Sequence, residues 1–346
     1  MGLNPLLRRG MLTAIPVAVM LVIELGFGAP TKGAMAGGAL ICGFTAFDAP
    51  AVQRIRWQAV TSVLIAAAAA AGILSSGSAV AAVLSLTVVG AAGGFMVAFS
   101  AWTGSLGTLI SLALLIAQGL FLPVADIPPA FLWVAVGGLA QALWSAMVWV
   151  VHDRRPAVGD GLLGLREVLA RIRSGVSSFS VTARHALRLG LALGVGVFAY
   201  RVLGLDDHGF WVPLTILFAM KPERDVTYPR LLMRAAGTAI GVVLATVLID
   251  VLGDSVVPTI IVLTITAALS YGLLSLQYAF FTVAITIFIV MLDSHTGMPA
   301  SEAVDDRLLC TGIGIAIAYA SFLLLPYKRP AEEGRLTAAS ADAGSG

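Results

Sequence analysis

Charged side chains are scarce: they make up 12% of the 346 residues, against an apolar share of 59%. A soluble domain of this length needs charge to cover its surface, so that class is excluded. Cysteine is scarcer still. Cys42 and Cys310 are the 2 present, both inside apolar stretches and without a spacing motif, which leaves no disulfide framework and no thiolate metal site. No Gly-rich loop ends in Lys-Ser or Lys-Thr, so no ATP site is visible. The acid pairs Asp206-Asp207 and Asp305-Asp306 do not extend to the repeated aspartates that a magnesium–diphosphate site needs. With no serine elbow, zinc spacing or redox pair either, the expectation is a protein that is not an enzyme and uses no cofactor, metal or nucleic acid.

What is abundant is apolar helix. Crossing the hydrocarbon core takes about 20 apolar residues at about 1.5 Å each. On that measure the first half offers spans near 10–28, 33–47, 57–75, 78–98, 103–122 and 129–151. The second offers 186–205, 209–220, 231–252, 255–274, 276–292 and 307–326. Adding 176 to first-half positions lands on similar residues: Arg8 on Arg184, Arg54 on Arg230, Ser62 on Thr238, Gly77 on Gly253 and Pro123 on Pro299. The expected fold is therefore all-α and polytopic, with about 12 transmembrane helices in two six-helix repeats. An even span count makes the repeats parallel, related by a pseudo-twofold along the membrane normal. The repeats occupy 1–151 and 186–330, joined by a cytoplasmic linker over 152–185 and followed by a disordered tail, 331–346. Within the linker, Leu162, Leu165, Leu169 and Ile172 recur at amphipathic helical spacing. Segment 10–28 is the repeat partner of a mid-chain span, so it reads as a retained first helix, not a signal peptide.

Charge sets the orientation. With both termini cytoplasmic, every one of the 21 Lys and Arg except Lys32, Arg201 and Arg307 falls on the inner face. The outer face collects Asp126, Asp206, Asp207, Asp250, Asp254, Asp293, Glu302, Asp305 and Asp306. The second span of each copy is short. Gly209–Met220 would cover roughly 18 Å as a helix, and Gly33–Phe47 carries four glycines. Short, interrupted segments at matching places in two repeats point to a transport site. Beside them stand Lys221, Arg230 and Arg234, with Arg54 and Gln58 as the repeat partners of the two arginines. Around a pseudo-axis these form a partial ring of donors suited to carboxylates, though topology and lipid headgroups explain inner-face arginines equally well. Glu24 and Arg201 sit at similar outer depths, candidates for a pair across the axis or for proton and gating roles; Asp207 and His208 join them as candidates. Snorkelling to the interface is the plain alternative.

The stretch His208-Gly209-Phe210-Trp211-Val212-Pro213-Leu214-Thr215, with Lys221-Pro222 and Arg234-Ala235-Ala236-Gly237-Thr238-Ala239-Ile240-Gly241, resembles the fusaric acid resistance and aromatic acid exporter-like membrane family. Plant aluminium-activated malate channels look like distant relatives. The likeness covers about 184–245; the first copy keeps Gly33 and Arg54 but has Met35 in place of Trp211 and Thr61 in place of Gly237. The resemblance implies a six-span unit working in pairs, here as a fused pseudo-dimer able to act as a single chain, with an anion route near the axis that includes Trp211, Pro213 and Thr215. The function so implied is an inner-membrane transporter exporting organic, aromatic or carboxylate anions, with proton coupling as a candidate mechanism and membrane lipids as its surroundings. A passive organic-anion channel is one alternative, and a non-transporting scaffold or assembly subunit is another.

Overall fold

A computed structural model describes residues 4–31, 33–152, 181–205, 209–295 and 300–324. Residues 153–180 of the expected linker, the tail, Asp207 and His208 lie outside the described residues. Among the described residues the chain forms helices and no strand. The helices are α1 (Pro5–Leu21), α2 (Ala34–Gly43), α3 (Ala51–Ser76), α4 (Ala79–Phe95), α5 (Ala101–Gly119), α6 (Ile127–His152), α7 (Val181–Val202), α8 (Trp211–Ala219), α9 (Arg224–Leu252), α10 (Val256–Leu276), α11 (Tyr278–His295) and α12 (Ala300–Leu324). A π-turn, Val22–Gly26, continues α1.

Nine of these helices, some with their flanking turns, are long and apolar enough to cross a membrane. The other three depart from the spans expected above. Two are short: α2 has 10 residues and α8 has 9, roughly 15 and 13 Å against about 30 Å of hydrocarbon. The third, α7, is long but carries Arg184, Arg188 and Arg201. Large apolar side chains point outward along the long helices, among them Leu232, Val251 and Leu324 at 75–80% exposure. That outer surface is matched to lipid, and the chain is a multi-pass membrane protein.

Local chemistry fixes the helix ends. Asn4 accepts from the Leu6 N–H at 2.9 Å and Pro5 occupies the first turn of α1, where its missing N–H costs nothing. Ser100 caps α5 through the Thr103 N–H at 3.1 Å. Gly33, at φ 79°, opens α2 from a left-handed conformation that a side chain would resist.

Packing follows corresponding helices of the two halves. Within each half, α3 lies on α5 and α6, and α9 on α11 and α12; α2 rests on α6, and α8 on α12. Between halves, α1 packs on α10 and α4 on α7, so the first helix of each half meets the fourth of the other. Small residues allow these close approaches. A Cβ on Gly190 of α7 would stand 2.6 Å from the Thr87 carbonyl of α4, and one on Gly10 would strike the Ala268 carbonyl of α10.

Candidate functional site

The two short helices are enclosed by the rest of the bundle. In α8, eight residues from Trp211 to Ala219 are buried, as are eight of α2. Helices too short to span are tolerated in a membrane when protein covers their unpaired ends. For α2 the cover is Glu24. The π-turn carries its carboxylate, 5% exposed, over the start of α2. There it accepts from Thr31 Oγ1 at 2.6 Å and from the N–H groups of Met35 at 2.8 Å and Ala36 at 3.2 Å. An anion held by first-turn amides also meets the positive end of the helix dipole.

Between α2 and α8 lies a cavity of about 350 Å³. Its wall is assembled from residues related by the offset of 176: Ala34 with Phe210, Gly38 with Leu214, Leu112 with Phe288, Ala113 with Ile289, Ile116 with Leu292, and Ala117 with Asp293. Phe44, Phe218, Trp133 and Trp211 add aromatic surface. Arg234 enters this apolar chamber from α9. It is 2% exposed, and its Nε and Nη1 have no hydrogen-bond partner. Its guanidinium carbon lies 5.5 Å from the Phe218 ring centre, and Tyr278 and Arg307 are within electrostatic range.

Arg307, from α12, is 1% exposed and rests 3.5 Å above the face of Trp211. Asp293 of α11, also lining the chamber, is its nearby opposite charge. Asp126 lines the chamber as well and is only half-buried. Apolarity alone ends the spans near 292 and begins them at 307, so Asp293 and Arg307 read from the sequence as charges at the outer ends of their spans. In the structure α11 continues to His295 and α12 begins at Ala300. Arg307 is thus about 10 Å along its helix, more than one turn inside. The signal that could have found it was its isolation as a cation among outer acids.

The expected ring of donors is divided. Arg234 lines the central chamber, whereas Arg54 lines a separate cavity at the first-half end of α3. Gln58, the partner of Arg234 under the offset, lines neither; it is fully buried, with both side-chain amide atoms unpartnered. Arg230 lies 4.5 Å over the Tyr278 ring. Lys221 stands between α8 and α9, half-buried, its backbone N–H bonded to Thr227 Oγ1 at 3.0 Å. Burial, reinforced by Arg230 and opposed by Glu223, pulls its ammonium down to about 8. Trp211 lines the chamber, while Pro213 and Thr215 pack behind it against Gly196 of α7 and Gly314 of α12. Glu24 and Arg201 do not meet: Glu24 is engaged within its own half, and Arg201 donates to the Ser76 carbonyl at 2.7 Å with Phe121 4.3 Å beneath it.

Residues 193–321, from α7 to α12, match the family model described as fusaric acid resistance protein-like. The matched region contains Trp211, Arg234, Asp293 and Arg307. Among curated proteins, the chain is 31% identical over 172 residues to the inner membrane protein YccS of Escherichia coli, covering 49% of this chain and 23% of that protein. It is 31% identical over 150 residues to the uncharacterized protein ORF2 of Neisseria gonorrhoeae, covering 43% and 36%. To the uncharacterized protein YhfK of Escherichia coli it is 26% identical over 191 residues, covering 53% and 27%. The chain thus spans about a quarter to a third of the length of these relatives. No solved structure matches it.

Proposed function

We propose that this chain, whose residues 193–321 form a fusaric acid resistance protein-like domain, carries small organic anions outward across the inner membrane through the chamber between α2 and α8. On this reading the two halves are parallel repeats of six helices, with the pseudo-twofold running through the chamber. The offset-related wall residues and the reciprocal α1–α10 and α4–α7 contacts support that arrangement.

The observation that carries the proposal is Arg234. A guanidinium withdrawn from water with its Nε and Nη1 unpartnered is costly, and a bound carboxylate offsets that cost by accepting hydrogen bonds from those two groups. Aromatic walls then favour an anion with a flat apolar body, and a chamber of about 350 Å³ lies in the size range of small-ligand pockets. The expected cargo is a small aromatic carboxylate. With both termini cytoplasmic, Lys221 and Arg230 stand on the inner side and raise the local anion concentration there. The Arg307–Trp211 stack then lies toward the outer side, where it must move to release cargo. The relatives extend well beyond the matched regions, so a cytoplasmic partner or further domain belongs to the same proposal.

The test is efflux of a panel of aromatic carboxylates from proteoliposomes by wild type, Arg234→Gln and Arg56→Gln. Arg56 is exposed near the start of α3. Charge-assisted hydrogen bonds contribute about 1.5–3 kcal/mol, so Arg234→Gln should weaken apparent affinity about 10- to 100-fold. Arg56→Gln should change little. Equal activity of the two variants removes the chamber from the transport route. Steep voltage-dependent current through purified protein selects the passive channel instead, and no flux with a sealed chamber selects the scaffold.

A further inference from the structure

The first half holds a second, larger cavity, about 620 Å³, which the central chamber does not use. It opens where the first turns of α1 and α3 meet the last turns of α6. Arg8 and Arg9 form one wall, Arg54 the base, and Trp144 and Trp149 the facing wall. Arg54 is 8% exposed; its side chain makes no hydrogen bond among the described residues, and its Nε is buried without a partner. Arg9 is anchored, donating from Nη2 to the Ala49 carbonyl at 2.8 Å, with Phe47 5.5 Å beneath it. Trp144 is fixed by donation from Nε1 to the Leu12 carbonyl at 2.7 Å. Among the described residues, Asp48 is the single carboxylate lining the cavity. Among those residues, three guanidiniums against one carboxylate leave a surplus of positive charge in a half-enclosed space.

The second half shows what such a place looks like when it is filled. On α7, α9 and α12, the offset counterparts of α1, α3 and α6, Arg188 lies 3.9 Å over Phe322 and donates to the Pro222 carbonyl at 3.3 Å. Tyr228 stacks on Tyr319 at 5.3 Å and meets Phe322 at 6.0 Å. There, aromatic rings take up the space, and the arginine is stacked on Phe322 and bonded to the chain itself. In the first half the offset counterparts of Tyr228, Tyr319 and Phe322 are Val52, Leu143 and Ala146, and the space between the helices stays open.

We propose that this cavity is a binding site for a phosphoryl anion, with Arg54 as its buried contact and Arg8 and Arg9 as its upper clamp. Phosphate presents oxygens in several directions, and these suit guanidiniums arriving from two helices better than the single edge of a carboxylate does. The two tryptophans beside it fit the level of lipid headgroups, and basic pockets between helices on the cytoplasmic side take phosphate-bearing headgroups. The same chemistry is offered by an anionic phospholipid or by free phosphate.

The experiment uses the purified full chain. Native mass spectrometry would follow retention of phosphatidylglycerol against phosphatidylcholine, and calorimetry would titrate inorganic phosphate and benzoate. The variants are Arg54→Gln and Val148→Phe, the second of which keeps all three arginines and fills the cavity with a ring. Selective retention of phosphatidylglycerol that falls at least tenfold in both variants supports the lipid source. Saturable phosphate binding lost in both supports the soluble source. Phosphate or phosphatidylglycerol binding equally well after Val148→Phe, benzoate binding as tightly as phosphate and lost in both variants, or no binding of either phosphoryl compound overturns the proposal; benzoate binding that both variants leave intact belongs to the central chamber. Unchanged elution of both variants on size exclusion keeps a folding defect from imitating the first two results.

Discussion

Position 58 in the first half and position 234 in the second hold the same place under the offset of 176, and the two side chains meet opposite surroundings. Arg234 has Asp293 and Arg307 in its neighbourhood and an aromatic chamber before it. At the offset counterparts of Asp293 and Arg307 the first half carries Ala117 and Phe131. Gln58 is accordingly neutral and fully buried, with its backbone carbonyl taken by Cys42 Sγ at 3.3 Å and Ser62 Oγ at 2.7 Å. On the proposed repeat reading, the comparison teaches that the two halves divide the labour. The second half supplies Arg234, Asp293 and Arg307, whereas the first supplies, Asp126 aside, an apolar complement, together with the basic cavity near α1 and α6.

The sharpest way to break that comparison is to make the halves alike. Gln58→Arg gives the first half the cation of the second without an acid to accompany it. A buried charge lacking its partner costs about 3–5 kcal/mol, a large fraction of the stability of a typical protein. The variant should lose yield in membranes or melt well below wild type in detergent. A combined Gln58→Arg, Ala117→Asp variant should recover part of the loss, because the acid returns at the position matching Asp293. Normal stability of the single variant would mean that the first half already holds a counter-charge, and the division of labour would then fail.

A smaller effect is expected at the start of α2, where the halves differ again. Glu24 carries α2 on one carboxylate, whereas its offset position in the second half is Tyr200, fully buried in the core. Glu24→Gln keeps the shape and one acceptor while removing the charge. Losing a good helix cap costs about 0.5–2 kcal/mol. The variant should therefore fold, show a modestly lower melting temperature, and exchange the Met35 and Ala36 amides faster. Were Glu24 a transported-proton site instead, the same variant would lose the pH dependence of efflux at unchanged stability. The two outcomes are separable.

How legible these features are in the sequence depends on the range of the physics involved. The helices and the two short segments rest on local quantities, hydropathy and length, so the expected spans fall close to the helices described. The burial of α2 and α8 follows from length alone, since a helix of about ten residues leaves end groups that lipid cannot satisfy. Asp293 and Arg307 read as span-end charges because hydropathy ends a span at the first charge, while the helix continues wherever protein, not water, surrounds it. The stack of Arg307 on Trp211 joins residues about a hundred positions apart, and the hold of Glu24 on α2 needs a π-turn. Neither leaves a periodic trace. The aromatic lining was hidden for the same reason: Phe44 and Phe218 read as ordinary core residues until the fold brings them to one chamber.

The smallest expected effect lies at Lys221 and tests whether inner-face charge acts on capture or on folding. Its repeat position in the first half is Thr45, buried and uncharged, so only the second half has a cation that titrates near neutrality. Burial and Arg230 lower the folded value to about 8 from the ordinary 10.5. Between those values the unfolded chain binds the proton and the folded chain does not, so stability should rise as pH increases from about 8 toward 10.5. Anion capture should move the opposite way, because the folded protein loses an inner positive charge over roughly pH 7 to 9. Efflux at low substrate concentration should fall a few-fold across that range, with no change at saturation. Lys221→Arg, which holds its charge throughout, should flatten the capture profile. If the wild-type profile is already flat while stability still climbs above pH 8, Lys221 titrates without touching the anion, and the inner approach must run past Arg230 alone.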